Sequence, residues 1–149
     1  MAASLYTLVF CTLVASFTAT LGSYCDILWM IDDSLSISQR NYDNAKVLIK
    51  ETLDGLRQGR EGLFDITYRN GILEFAGRVQ DHLEFTSEYE RFIKRLQINS
   101  FDNSGSTRMT KAFRFVDEEI FKDLPRPSVQ RAVFIITDGV VEDGKKASR

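Results

Sequence analysis

Apolar residues in this chain gather into short unbroken runs and into longer stretches with helical spacing, and the two kinds alternate. The first run, Ile27-Leu28-Trp29-Met30-Ile31, leads straight into Asp32-Asp33-Ser34-Leu35-Ser36. Beyond it Tyr42, Ala45, Ile49, Leu53 and Leu56 recur at intervals of three and four, while Arg40, Asp43, Lys46, Lys50 and Asp54 fall mostly elsewhere. That is the pattern of an amphipathic helix. Ser38 stands where an N-cap would, and Gly55, Gly59 and Gly62 mark the exit. Two strands are expected next, Asn70 to Phe75 and Val79 to Phe85, joined near Ala76-Gly77. The second alternates like a half-exposed edge strand, with His82 on its surface. Tyr89, Phe92, Ile93 and Leu96 predict a second helix. A third runs from about Thr107 to Phe121 and is expected to bury Met109, Ala112, Phe113, Val116 and Ile120. Pro125 and Pro127 then punctuate the loop before the last run, Ala132-Val133-Phe134-Ile135-Ile136, which ends in Thr137-Asp138-Gly139.

The order strand, helix, hairpin, helix, helix, strand predicts an α/β fold: a doubly wound, mostly parallel central sheet with one antiparallel edge strand and helices on both faces. The first and last runs are continuous, as central parallel strands covered on both faces should be. In open α/β sheets, sites form beyond the carboxyl ends of the strands, where the winding direction changes. Asp32 and Asp138 sit at those ends, and Ser104-Gly105-Ser106-Thr107 opens the third helix between them.

This placement gives the polar clusters their chemical meaning. Carboxylate and hydroxyl oxygens with no nearby His or Cys suit a hard divalent cation, Mg²⁺, Mn²⁺ or Ca²⁺. A simpler reading has Ser34 and Ser36 capping the helix that starts near Ser38. Thr107 and Asp138 at converging strand ends favour the metal.

Composition narrows the setting. A chain of 149 residues, 44% hydrophobic and 27% charged, is expected to form one globular domain. Its net charge of −2 and scattered charges argue against nucleic acid as a partner. Residues 1–23 carry no charged side chain, Leu5 to Phe17 is a compact apolar run, and small residues follow. They read as a secretory signal peptide cut near Gly22 or Ser23, the rival being a signal anchor. On that reading the mature chain is secreted, with no membrane insertion after cleavage, and its domain covers residues 24–149. Cys11 leaves with the signal peptide, and Cys25 stays alone in an oxidising compartment. Cys25 is thus a candidate for a disulfide with a partner elsewhere, the alternative being a buried free thiol. No Asn-x-Ser/Thr sequon is present.

Asp32-x-Ser34-x-Ser36 after an apolar strand, Thr107 at a Gly-x-Thr helix opening, and Asp138 in Thr-Asp-Gly together resemble the metal-ion-dependent adhesion site of von Willebrand factor A domains. Cys25-Asp26-Ile27-Leu28 also looks like that family's start of its first strand, and the resemblance covers everything from Cys25 onward. It implies that Ser34 and Ser36 coordinate the metal through their hydroxyls and that Thr107 is a third ligand. Asp32 and Asp138 would act directly or through bound water. Three neutral hydroxyls leave much of the cation's charge uncompensated, so the acidic side chain of an extracellular matrix or cell-surface protein would complete the shell.

Departures from the pattern matter too. Asp33 replaces the small residue commonly seen beside the first Asp: either a solvated neighbour, or added negative charge that tightens cation binding. Met109 lies where the family often has a second Thr and is read as core, and Asp26 as structural. The family's domain usually continues for two more strands and two helices, so the ending at Arg149 is read as a partial domain with a bare last strand, the alternative being a true short product. Three functions compete. The leading one is a cation-dependent adhesion module. The alternative is a structural A-type domain of a collagen-like matrix assembly that binds independently of metal. The third, a phosphotransferase with Asp32 as nucleophile, is disfavoured. No His or Cys is placed for acid–base work, and Ser34 occupies the position of the second Asp such enzymes use. The chain is therefore read as not an enzyme.

Overall fold

The computed structural model describes residues 23–58, 66–103, 105–122 and 129–139. The proposed signal peptide lies outside the described residues except for Ser23, as do Gly59, Gly62, Pro125 and Pro127. The elements are β1 (Ser23–Asp32), α1 (Gln39–Gln58), β2 (Ile66–Phe75), β3 (Val79–Thr86), α2 (Tyr89–Ile98), α3 (Met109–Phe115, continued by a wider turn over Val116–Ile120) and β4 (Val129–Ile136). Among the described residues they form a four-stranded sheet in the order β3-β2-β1-β4. β1 runs parallel to β2 and to β4, and β3 is antiparallel to β2. This is the expected doubly wound α/β architecture with one antiparallel edge.

β1 is the central strand, and its position explains its unbroken apolar run. Ile27, Trp29 and Ile31 face one core with Tyr42, Ala45, Ile49 and Leu53 of α1 and Phe92, Ile93 and Leu96 of α2. Leu28 and Met30 face the other core, with Leu73, Phe75, Ala112, Val116 and Ile120. Successive strand residues point to opposite faces, so a strand with helices on both sides needs every position apolar. β4 lies at the outer edge of the described sheet, and most of its side chains are only half-buried. Its apolar run therefore does not mark a strand enclosed on both sides among the described residues. Trp29 stacks on Phe134 at 4.7 Å and donates its indole N–H to Asn70 Oδ1 at 3.2 Å.

Several boundaries and one core position differ from expectation. α1 runs through Gly55, around which nothing crowds, to Gln58. Phe113 is not core: it is 46% exposed. Beyond it comes the wider turn, in which the Phe121 N–H bonds back to Val116 O at 2.9 Å, a five-residue spacing. Five-residue spacing advances the chain by a smaller angle per residue. Ile120 is carried back toward the line of Ala112 and Val116, and Phe113 falls outside the buried stripe. Met109 packs against the core as read. The backbone of His82 pairs with Leu73, while its side chain lies outside the described residues.

Candidate metal centre

The site forms where β1 ends. Asp32 closes the strand, paired in register with Phe75 of β2, and the next residues turn out of the sheet. The Asp33 N–H still donates to Phe75 O at 2.9 Å, so the turn begins only beyond it. Asp32 Oδ1 then accepts the Ser34 N–H at 3.0 Å, a local side-chain turn. The Ile37 N–H to Ser34 O bond at 3.0 Å closes the loop before α1. The cap of α1 belongs to Ser38, whose Oγ accepts the Asn41 N–H at 3.2 Å. Ser34 and Ser36 are therefore not the helix cap.

Three hydroxyls meet at Ser34. Thr107 Oγ1 donates to Ser34 Oγ at 2.7 Å, and Ser34 Oγ and Ser36 Oγ are 3.1 Å apart. Ser34 and Thr107 are buried and Ser36 is exposed, so the cluster opens to solvent on one side. Thr107 arrives from the loop between α2 and α3. That loop rests on the loop after β1 through the Leu35 N–H to Gly105 O bond at 3.1 Å, and on the end of β2 through the Arg108 N–H to Ala76 O bond at 3.2 Å. Gly105 has φ +79° and comes so near Gly77 that an added Cβ would sit 3.1 Å from its backbone. The positive φ favours glycine there, and the close approach to Gly77 leaves little room for a side chain.

Two carboxyls complete the arrangement. Asp32 Oδ2 accepts the Thr137 hydroxyl at 2.6 Å, which ties β1 to the segment after β4. Thr137 Oγ1 in turn accepts the Gly139 N–H at 3.1 Å. Asp138 is half-buried between them, and its charge acts on Asp32. Burial pushes the Asp32 carboxyl above the ordinary carboxylate range; the hydrogen bonds from Thr137 and Ser34 oppose the shift, and the charge of Asp138 adds to it. A cation beside these oxygens would relieve that electrostatic cost.

Asp32, Ser34, Ser36 and Thr107 are thus joined by direct hydrogen bonds, and Asp138 lies within electrostatic reach. Among the described residues no three His, Cys, Asp or Glu side chains converge as a metal-binding group. The donors here are hydroxyls and two carboxyls, a hard all-oxygen set that fits Mg²⁺ or Mn²⁺ better than a soft metal. Cys25 lies seven residues back along β1, about 23 Å at strand spacing, and takes no part. Among the described residues it is a free, half-buried thiol, and burial together with Asp26 raises its pKa.

The sequence reading missed two parts of the site. Thr137 had no assigned role, although it stands beside Asp138. Asp33 is neither a solvated neighbour nor exposed at all: its side chain is enclosed and accepts the Asp102 and Asn103 N–H groups, each at 3.0 Å. Asp26, read as structural, pairs with Arg69, which donates from Nε to Oδ1 at 2.7 Å and from a terminal nitrogen to Oδ2 at 2.5 Å.

Comparison with known proteins places the fold in a family. The model of the von Willebrand factor type A domain matches residues 26–149. Matrilin-2 of Mus musculus is 29% identical over 137 residues, covering 85% of this chain and 14% of the relative. Thrombospondin-related anonymous protein of Plasmodium berghei (strain Anka) is 27% identical over 125 residues, covering 83% of this chain and 21% of the relative. The chain thus matches less than a quarter of the length of either. Proximal thread matrix protein 1 from the mussel byssus, solved with its MIDAS motif occupied by zinc, superimposes with a TM-score of 0.67 at 26% identity, over 83% of this chain and 33% of that one. The family match runs from Asp26 in the first strand, through every element that builds the site, so the chain belongs to the von Willebrand factor type A domain family.

Proposed function

We propose that this chain is an extracellular protein-binding module that holds a divalent cation, Mg²⁺ or Mn²⁺, at Asp32, Ser34, Ser36, Thr107 and Asp138. The observation that carries this reading is the hydroxyl cluster centred on Ser34 Oγ. Three alcohol oxygens from two loops face one another beside a buried carboxyl, with solvent on one side. Such a set can hold a cation without neutralising it, and the open side leaves room for an outside carboxylate. The zinc-occupied MIDAS motif of the mussel protein supports the same reading by likeness.

In this function Ser34, Ser36 and Thr107 supply neutral oxygens. Asp32, braced by the Ser34 amide and the Thr137 hydroxyl, supplies charge on the sheet side, and Asp138 supplies the second charge. The bound cation provides an electrophilic docking point for an acidic side chain of a matrix or cell-surface protein. The likeness to matrilin-2 supports reading the chain as a binder rather than an enzyme. We further propose that residues 1–23 direct secretion and that Cys25 pairs with a cysteine outside this segment.

The carboxylate-docking step is testable with Mn²⁺. Water bound to site-held Mn²⁺ enhances proton relaxation, and a ligand carboxylate that displaces this water reduces the enhancement. A glutamate-containing peptide should reduce it, and its glutamine counterpart should not. Equal responses to both peptides would favour the alternative, a structural A-type domain of a collagen-like matrix assembly that binds through other surfaces.

A further inference from the structure

Asp33 is a residue of this site that the proposed metal ligation leaves unused. Its side chain is fully enclosed at the end of the central strand, and its N–H is committed to Phe75 O. Its two carboxylate oxygens are divided between consecutive backbone amides about seventy positions later: Oδ2 accepts the Asp102 N–H and Oδ1 the Asn103 N–H, both at 3.0 Å. Asn103 has φ +47°, in the left-handed region. Consecutive amides made to converge by a left-handed residue form a concave anion-binding nest. Here the anion comes from within the same domain, on the neighbouring loop.

The nest lies on the loop that delivers Thr107. The described residues of that loop, between α2 and α3, have no regular structure, and Asn103 is four residues before Thr107. Among the described residues the loop's other ties include the backbone bonds from the Leu35 N–H to Gly105 O and from the Arg108 N–H to Ala76 O, and the side-chain bonds from Asn99 to Glu74 and from Thr107 to Ser34. The Asp33 clamp is made twice, to two consecutive amides, and bonds to a carboxylate are charge-assisted.

We propose that Asp33 is a positioning residue: its carboxylate latches the loop between α2 and α3 onto the end of β1 and so fixes the Thr107 hydroxyl against Ser34. This inference rests on the cation-binding reading for its consequence, but not for the latch itself. On this account Asp33 acts on the cation through Thr107, and its negative charge near the site is incidental.

A double-mutant cycle separates these two modes. Mn²⁺ affinity is measured for the full chain, Asp33→Asn, Thr107→Ala and the double variant. Asparagine keeps the size but sets an N–H₂ group against one loop amide. Asp33→Asn should weaken Mn²⁺ about tenfold, the scale of a lost hydrogen bond to a charged group. In the Thr107→Ala background the same change should have less than about a twofold effect. Equal losses in both backgrounds would show that Asp33 acts through charge and overturn the proposal, as would no loss in either.

Hydrogen exchange on the unmodified, cation-free chain tests the latch directly. The Asp102 and Asn103 amides should be protected, and Asp33→Ser should release them. Exchange at the rate of a free loop in the unmodified chain overturns the latch even if the variants do not fold. Failure of the unmodified chain to bind Mn²⁺ would instead remove the cation-binding reading, and hydrogen exchange would still decide whether the latch exists.

Discussion

Residue by residue, the site is built from side chains that serve one another before they serve a ligand. Asp32 shows this most clearly, since its two oxygens are engaged by the Ser34 amide and the Thr137 hydroxyl. Burial holds its carboxyl above the ordinary range, so the cation-free folded protein keeps a proton there at a pH where a free carboxylate has lost it. A cation must displace that proton. Cation affinity should therefore rise with pH from the ordinary carboxylate range through the raised value and then level off. A Mn²⁺ titration repeated across acid pH checks the sign; affinity independent of pH there would remove Asp32 from the coordination sphere. Asp26 offers a structural contrast. Its carboxylate is buried and held in a two-point pair by Arg69, so Arg69→Met strands a buried charge and should cost about 3–5 kcal/mol in denaturant unfolding. The structure brings Asp32, Ser34, Ser36, Thr107 and Asp138 near one another, and the sequence could single them out as candidates because each follows an apolar run or lies just before a helix. Asp33 and Thr137 were not legible in this way, because what defines them is a contact with a loop some seventy or a hundred positions away. Spacing along a chain carries no trace of such a contact.

The elements were legible to the extent that one period dominated each. The stripe Tyr42, Ala45, Ile49, Leu53 is buried as its spacing demanded, since α1 meets the sheet along one line. α3 departs from its pattern at the wider turn over Val116–Ile120, since helical periodicity assumes a constant advance per residue. β2 begins at Ile66, four residues before the expected Asn70, because pairing with β1 extends it through Thr67, Tyr68 and Arg69, which lack an apolar pattern. Met30 is fully enclosed between sheet and α3, so Met30→Ala should cost about 2–5 kcal/mol through lost burial and the cavity left behind. Ser38→Ala removes the acceptor for the Asn41 amide and should cost about 0.5–2 kcal/mol, with no effect on cation affinity. Loss of cation binding in Ser38→Ala would mean that the start of α1 belongs to the site after all.

For the whole molecule, the sheet order brings the site together. β1 lies between β2 and β4, so its carboxyl end is flanked by the ends of both parallel neighbours. The loop carrying Thr107 rests on β1 and β2, and the segment carrying Asp138 follows β4. The fold class was legible from the alternation of strands and helices, but the buried latch that holds one loop to another was not. Among the described residues no helix is long and apolar enough to cross a membrane. A cation that binds only the folded state should stabilise the whole domain, by about 2.7 kcal/mol at a hundred times its dissociation constant. The central claim is that hydroxyls from two loops and carboxyls at two strand ends form one cation site. Its most direct test is calorimetric titration of Mg²⁺ or Mn²⁺ into the folded chain, beside the same titration of Asp32→Ala. A single site in the parent chain, lost in the variant, is the result expected; equal affinity in the two proteins would contradict the account.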